Sequence, residues 1–159
     1  MKNINTYLKT ISYDELPDLI DYIIDNKIYK GSFILNLSKR GDNKGYKHWI
    51  AIYYDVEEKN KNSIMSVCYY DSYGDKPNEY IEKQLKKMVD GLDISYYVKY
   101  KYNLIKNQDY NSSLCGVFSI SFILRMLSGL DFKQSTDYKI MNDENMKEKL
   151  QSYNKFNFI

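Results

Sequence analysis

Residues 115–130, CGVFSISFILRMLSGL, make a helix-length run with apolar side chains nearly all round. A helix of that kind must be covered on most sides, so the rest of the chain has to supply layers around it. Ser112 or Ser113 can cap its start, and Gly129 marks its end. Cys115 is its first residue. A thiol at a helix start lies near unpaired backbone N–H groups and the positive end of the helix dipole, and both favour the reactive thiolate. A buried, inert cysteine is the alternative reading of the same residue.

The covering layers are legible from periodicity. Leu16, Leu19, Ile20, Ile23 and Ile24 recur at helical spacing over residues 14–26, with Pro17 acceptable in the first turn. A second amphipathic helix is expected over residues 77–90, with Ile81, Leu85, Met88 and Leu92 as its stripe and Gly91 just beyond its end. A third is expected over residues 142–153. Residues 32–37, 48–55, 64–71 and 95–104 are rich in β-branched and aromatic side chains and read as strands. The first dozen residues are polar and are expected to be loosely held, and residues 105–114 form a polar loop expected to be exposed. The fold class is α+β: a central helix packed on a mixed or antiparallel sheet.

Length and charge narrow the functions. A chain of 159 residues suits one domain, with a core about 30–130 and helices at both ends. Net charge is only +2, which gives no reason to expect nucleic acid or an anionic membrane as the main partner. The Lys-rich stretches 83–87 and 99–106 read as solvated faces. The longest apolar run is too short and too interrupted to span a bilayer, and the start, MKNINTYLKT, has no apolar signal region. An intracellular protein is expected. Two cysteines and one histidine disfavour both a disulfide scaffold and a zinc site. No cofactor is expected. The abundance of Lys, Asn, Ile and Tyr hints at an AT-rich genome of a virus, bacterium or protist.

His48 stands where the Gly-bearing loop 38–47 meets a strand. Residues 56–63, VEEKNKNS, read as the solvated turn of a hairpin. If the strands pair symmetrically about residues 59 and 60, His48 lies directly opposite Asp71. Ile50 then faces Tyr69, Ile52 faces Val67 and Tyr54 faces Met65. Directly opposed residues have Cβ atoms roughly 4.5–5.5 Å apart, so Asp71 could orient the His48 ring and support its cation. Asp71 also opens the turn D-S-Y-G and suits a turn cap. Cys68 falls on the other face, opposite Ala51, as a small buried hydrophobe. Gln108 lies seven residues before Cys115 in the polar loop. Its amide and the Cys115 N–H could act as donors to a developing oxyanion.

The ordered set of His48-Trp49, Asp71, Gln108 and Cys115-Gly116 resembles the adenain and Ulp-type cysteine proteases, over about residues 30–130. The Gln-to-Cys spacing is similar to the adenovirus type and Asp71 to the Ulp type, while the hairpin turn reads as longer than in either. A small core with this composition is similar to the maturation proteases of virophages and related DNA viruses. The resemblance implies a papain-like fold and a cysteine endopeptidase cleaving proteins after small residues, often glycine. Cys115 would be the nucleophile, His48 the base, Asp71 its orienting acid and Gln108 the oxyanion donor, with Trp49 beside the cleft. The implied substrates are capsid precursors or ubiquitin-like conjugates, met in host cytoplasm or a viral factory, with packaging in the virion a further expectation. An activating peptide or nucleic acid is left open. The rivals are a deconjugase, an effector acetyltransferase using the same Cys-His-Asp set, and a module that only binds a ubiquitin-like protein.

Overall fold

The computed structural model describes residues 7–42, 47–59, 62–93, 97–136 and 143–154. Its centre is a hairpin of two long strands, β3 (Trp49–Lys59) and β4 (Asn62–Tyr70). Around it lie β1 (Tyr7–Ser12), β2 (Lys30–Asn36) and β5 (Tyr97–Tyr102), in the order β1-β2-β3-β4-β5. The pairs β2–β3 and β3–β4 are antiparallel, and the outer pairs β1–β2 and β4–β5 are parallel. The sheet is therefore mixed, as the α+β reading allows.

Strand alternation divides the protein into two layers of helix. On one face, Ile50, Ile52 and Tyr54 of β3 join Met65, Val67 and Tyr69 of β4 in a core shared with α1 (Leu16–Asp25) and α2 (Glu79–Gly91). On the other face, Ala51, Tyr53, Cys68 and Tyr70 meet Phe118, Phe122 and Ile123 of α3 (Cys115–Leu127). Met146 of α5 (Asp143–Asn154) closes that second core, with Phe132 of α4 (Phe132–Thr136) packed against it. Tyr70 and Phe122 stack with ring centroids 4.7 Å apart.

Several details depart from the sequence reading. The chain's polar start hides β1, whose partner is the buried strand β2. The VEEKNKNS segment is not an open turn: both strands run through it, leaving only residues 60 and 61 between their ends. The register also differs by two residues from the symmetric one expected, so Ile52 faces Tyr69 and Tyr54 faces Val67. A shift of two preserves which face each side chain takes, so the grouping of core residues survives. Cys68 lies opposite Tyr53 rather than Ala51, still on the second face. α3 is less enclosed than its composition suggests, since Ile120 and Leu127 are exposed. Gly91 is the last residue of α2, and Leu92 beyond it caps the helix. Residues 95, 96 and 142, included in expected elements, lie outside the described residues.

Gly31 pairs with Tyr54 across β2 and β3. A Cβ at Gly31 would come within 2.7 Å of the Tyr54 hydroxyl oxygen and 2.9 Å of Cζ. Tyr54 is fully buried and has little room to yield. Alanine's backbone advantage over glycine is about 0.5–1 kcal/mol, and overpacking costs about 1–3 kcal/mol. Gly31→Ala should therefore lower stability in thermal or urea unfolding, against the usual sign for such a change.

Candidate active site

Three chain segments meet at one end of the sheet. His48 immediately precedes β3, Asp71 immediately follows β4, and Cys115 opens α3. All three are buried. The His48 Nε2 donates to Asp71 Oδ1 at 2.8 Å. Nε2 being occupied, Nδ1 is the ring nitrogen left to interact with the Cys115 sulfur, whose thiol donates to the Lys47 carbonyl at 3.9 Å. The pair His48–Asp71 thus forms, though not by direct opposition in the hairpin. In the observed register Asp71 is a diagonal neighbour of His48, and both lie beyond the last ladder pair, where strand pleating no longer dictates side-chain direction.

What aims Asp71 is the turn after β4. Gly74 N–H donates to the Asp71 carbonyl at 2.9 Å, and Tyr73 N–H donates to Asp71 Oδ1 at 2.7 Å. Asp71 is a turn cap and the partner of His48 at once. Gly74 has φ +77°, and a Cβ there would lie 3.1 Å from the Leu104 carbonyl oxygen, so the turn needs glycine. The Tyr73 ring then stacks on the His48 ring at 5.0 Å, covering one side of it.

The electrostatics follow from this packing. Burial opposes a charge on His48, but the hydrogen bonds to Asp71 and Cys115 and their negative charges outweigh it, and its pKa rises to about 9. Burial likewise opposes the Cys115 thiolate. The His48 hydrogen bond and charge, with the backbone N–H groups of Trp49 and Gly116, outweigh that and lower its pKa. Cys68 has no such company, and burial pushes its thiol up to about 12. Two buried cysteines are thereby driven in opposite directions.

Gln108 differs from its expected exposed setting, being fully buried. Its Oε1 accepts from the Ser72 hydroxyl at 2.6 Å, and its Nε2 donates to the Ser112 carbonyl at 2.9 Å and to Ser112 Oγ at 3.1 Å. Its own N–H donates to the Ser72 carbonyl. Gln108 therefore ties the Asp71 turn to the segment leading into Cys115. Neither Ser112 nor Ser113 caps α3: its N-cap is Leu114, with no side-chain cap bond, and Ser112 Oγ accepts from the Leu114 N–H instead. Trp49 is half-buried beside the second core, with its ring 3.8 Å from where a Gly116 Cβ would lie. Sequence reasoning missed the Trp49 and Gly116 N–H groups, Tyr73 and Ser72, and it read Ser112 as a helix cap rather than a partner of Gln108. Only D-S-Y-G offered a signal, for the turn.

A cysteine at the head of a helix, paired with a histidine and an acid on an adjoining sheet, defines a papain-like cysteine peptidase domain. The chain belongs to the Ulp1 protease family, whose C-terminal catalytic domain matches residues 43–158. A protein of Acanthamoeba polyphaga mimivirus, provisionally named a thiol protease, is 36% identical over 132 residues, covering 79% of this chain and 37% of that protein. The chain thus spans little more than a third of that curated relative. The crystal structure of a protease of ASFV superposes with a TM-score of 0.68 at 16% identity, over 91% of this chain and 58% of that one. The central domain of a Legionella pneumophila protein gives 0.56 at 10% identity, over 98% and 91%. These two structures share the fold.

The raised His48 value means that its protonation stabilises the folded chain. This contribution is complete below pH 6.5 and is lost as pH rises through about 9. Asp71→Asn removes the negative charge and should bring the His48 midpoint down, measured by NMR on the single histidine. Cys115 alkylation by iodoacetamide at neutral pH should slow in parallel, while Cys68 stays nearly unreactive in both proteins.

Proposed function

We propose that residues 1–159 are one catalytic domain of a cysteine endopeptidase that cleaves proteins after small residues, with viral capsid precursors as its substrates. The observation carrying this reading is the buried Cys115–His48–Asp71 arrangement, with the thiol pulled down and the imidazole pushed up. In that arrangement the thiolate and the imidazolium stabilise one another. The thiolate attacks the scissile carbonyl carbon, and the carbonyl oxygen takes the negative charge. His48 gives its proton to the leaving amine, and Asp71 keeps the ring aligned. Water then attacks the acyl-enzyme, with His48 accepting its proton, and the thiolate is released.

Gln108 is proposed as an oxyanion donor together with the Cys115 N–H. Its amide already bonds Ser112, so the role requires exchanging one of those bonds as the oxyanion forms. Trp49, next to Gly116, is proposed as a wall of the cleft. Viral substrates are supported by the mimivirus relative and by the shared fold with the ASFV protease. Host cytoplasm or a viral factory, with packaging in the virion, would be the setting.

Incubating candidate capsid precursors with the protein, followed by mass spectrometry of the new ends, tests this reading. Cys115→Ala should abolish cleavage and Cys68→Ala should retain most of it. A conjugate of a ubiquitin-like protein added in parallel separates deconjugation from precursor processing. Gln108→Ala should lower kcat by roughly 10²–10³, the usual cost of losing one oxyanion donor. Because Gln108 is buried and fully bonded, its loss should also lower the Tm, and kcat should be measured well below the new transition.

A further inference from the structure

The parallel pairing of β4 with β5 ends at Tyr69 opposite Tyr102. Asp71 and Asn103 lie just past the ends of the two strands. The backbone ladder has stopped, yet these residues remain joined. Asp71 N–H donates to Asn103 Oδ1 at 2.9 Å, and Asn103 Nδ2 donates to the Asp71 carbonyl at 2.6 Å. Nδ2 also donates to the Ile105 carbonyl at 3.2 Å. An asparagine amide has one carbonyl oxygen and two N–H bonds, so every part of it is engaged. Asn103 is only 4% exposed.

We propose that Asn103 is a positioning residue for the His48–Asp71–Cys115 site, fixing the backbone of Asp71 and through it the carboxylate that aligns His48. The proposal rests on the peptidase reading of that site and adds to it the residue that sets its geometry. Asp71 lies outside the sheet, so no ladder holds it. The turn bond from Gly74 secures only its carbonyl. The Asn103 amide grips the N–H as well, on the other side of the same Cα. Both backbone dihedrals of Asp71 are then constrained, and its side chain is settled by Tyr73 N–H and His48 Nε2. The side-chain amide works as one more peptide group at the end of β5. Aspartate lacks the donor, leucine lacks both functions, and glutamine is a methylene too long. Positional demands are severe here, since a misplacement of about 1 Å in a reacting group can cost roughly 10²-fold in rate.

His48 is the only histidine in the chain, so one imidazole signal reports on the site. The groups that bear on it are Asp71, Cys115 and the stacked Tyr73, with Lys106 above the Tyr73 ring. NMR titration of His48 and the iodoacetamide rate at Cys115 should be compared in the wild type, Asn103→Ala and Leu16→Ala. Leu16 is buried in the core on the α1–α2 face and serves as a control for lost stability alone. In Asn103→Ala the His48 midpoint should fall by about one pH unit, since a displaced carboxylate exerts less of its pull. Cys115 alkylation at neutral pH should slow with it, and Leu16→Ala should leave both near wild type. Asn103→Ser, which can reach at most one of the two Asp71 groups, should give a smaller shift and carries the comparison should the alanine variant not fold. If the Asn103 variants lose stability while His48 and Cys115 behave as in the wild type, Asn103 only supports the loop and the proposal fails. Neither readout needs a substrate, so a chain that cleaves nothing overturns the peptidase reading while leaving this test intact.

Discussion

A carboxylate taken out of water is costly unless its oxygens and its backbone are supplied with partners. Asp71 is 1% exposed, and the surrounding structure is built to meet that demand. Tyr73 N–H and His48 Nε2 converge on Oδ1, while Gly74 and Asn103 hold the main chain. From this arrangement follow the charge on His48 and, through it, the lowered thiol of Cys115. Take away the carboxylate and only Cys115 is left to favour the imidazolium against burial, which opposes charge.

The sheet contributes by ending where it does. β3 begins one residue after His48, and β4 finishes one residue before Asp71. A residue inside either strand would be committed to one face by the pleat. The face shared by Ile50 and Tyr69 carries α1 and α2, whereas α3 and its cysteine lie on the opposite face. A histidine and an aspartate kept strictly in strand alternation would point away from the cysteine. Their position just outside the ladder lets them turn toward it.

The loop between β5 and α3 is held by polar contacts rather than apolar ones. Ser72, Asn103, Asn107, Gln108 and Ser112 are all buried, and Tyr70 Oη donates to Asn107 Oδ1 at 3.0 Å. Networks of this kind are stable only when nearly every member is satisfied, and they then specify a single geometry. This one joins the Asp71 turn to the residues entering α3, so Asp71 and Cys115 are braced against the same segment. Such a brace suits a site whose parts come from distant stretches of chain.

The sequence by itself determined the layers and the main chemical groups. Helical spacing marked α1 and α2, strand composition marked β2 through β5, and the apolar run with Cys115 at its head marked α3. Those signals are local, because burial of one face imposes a period that a single segment can display. His48, Asp71 and Cys115 could be singled out as candidates because few residue types suit such chemistry and each stood at the edge of an element. The tertiary structure decided what depends on distant partners. β1 is short, buries only Ile11 fully and follows a polar chain start, so its pairing with β2 is what marks it as a strand. The hairpin register differs by two residues from the expected one, because a charged segment that reads as a turn carries no local mark of where the two strands stop pairing. The loop around Gln108 reads as solvated in sequence, yet it is buried because its polar groups find one another across the fold. No local pattern records that Asn103 would stand beside Asp71, since the two are brought together only when β5 pairs with β4.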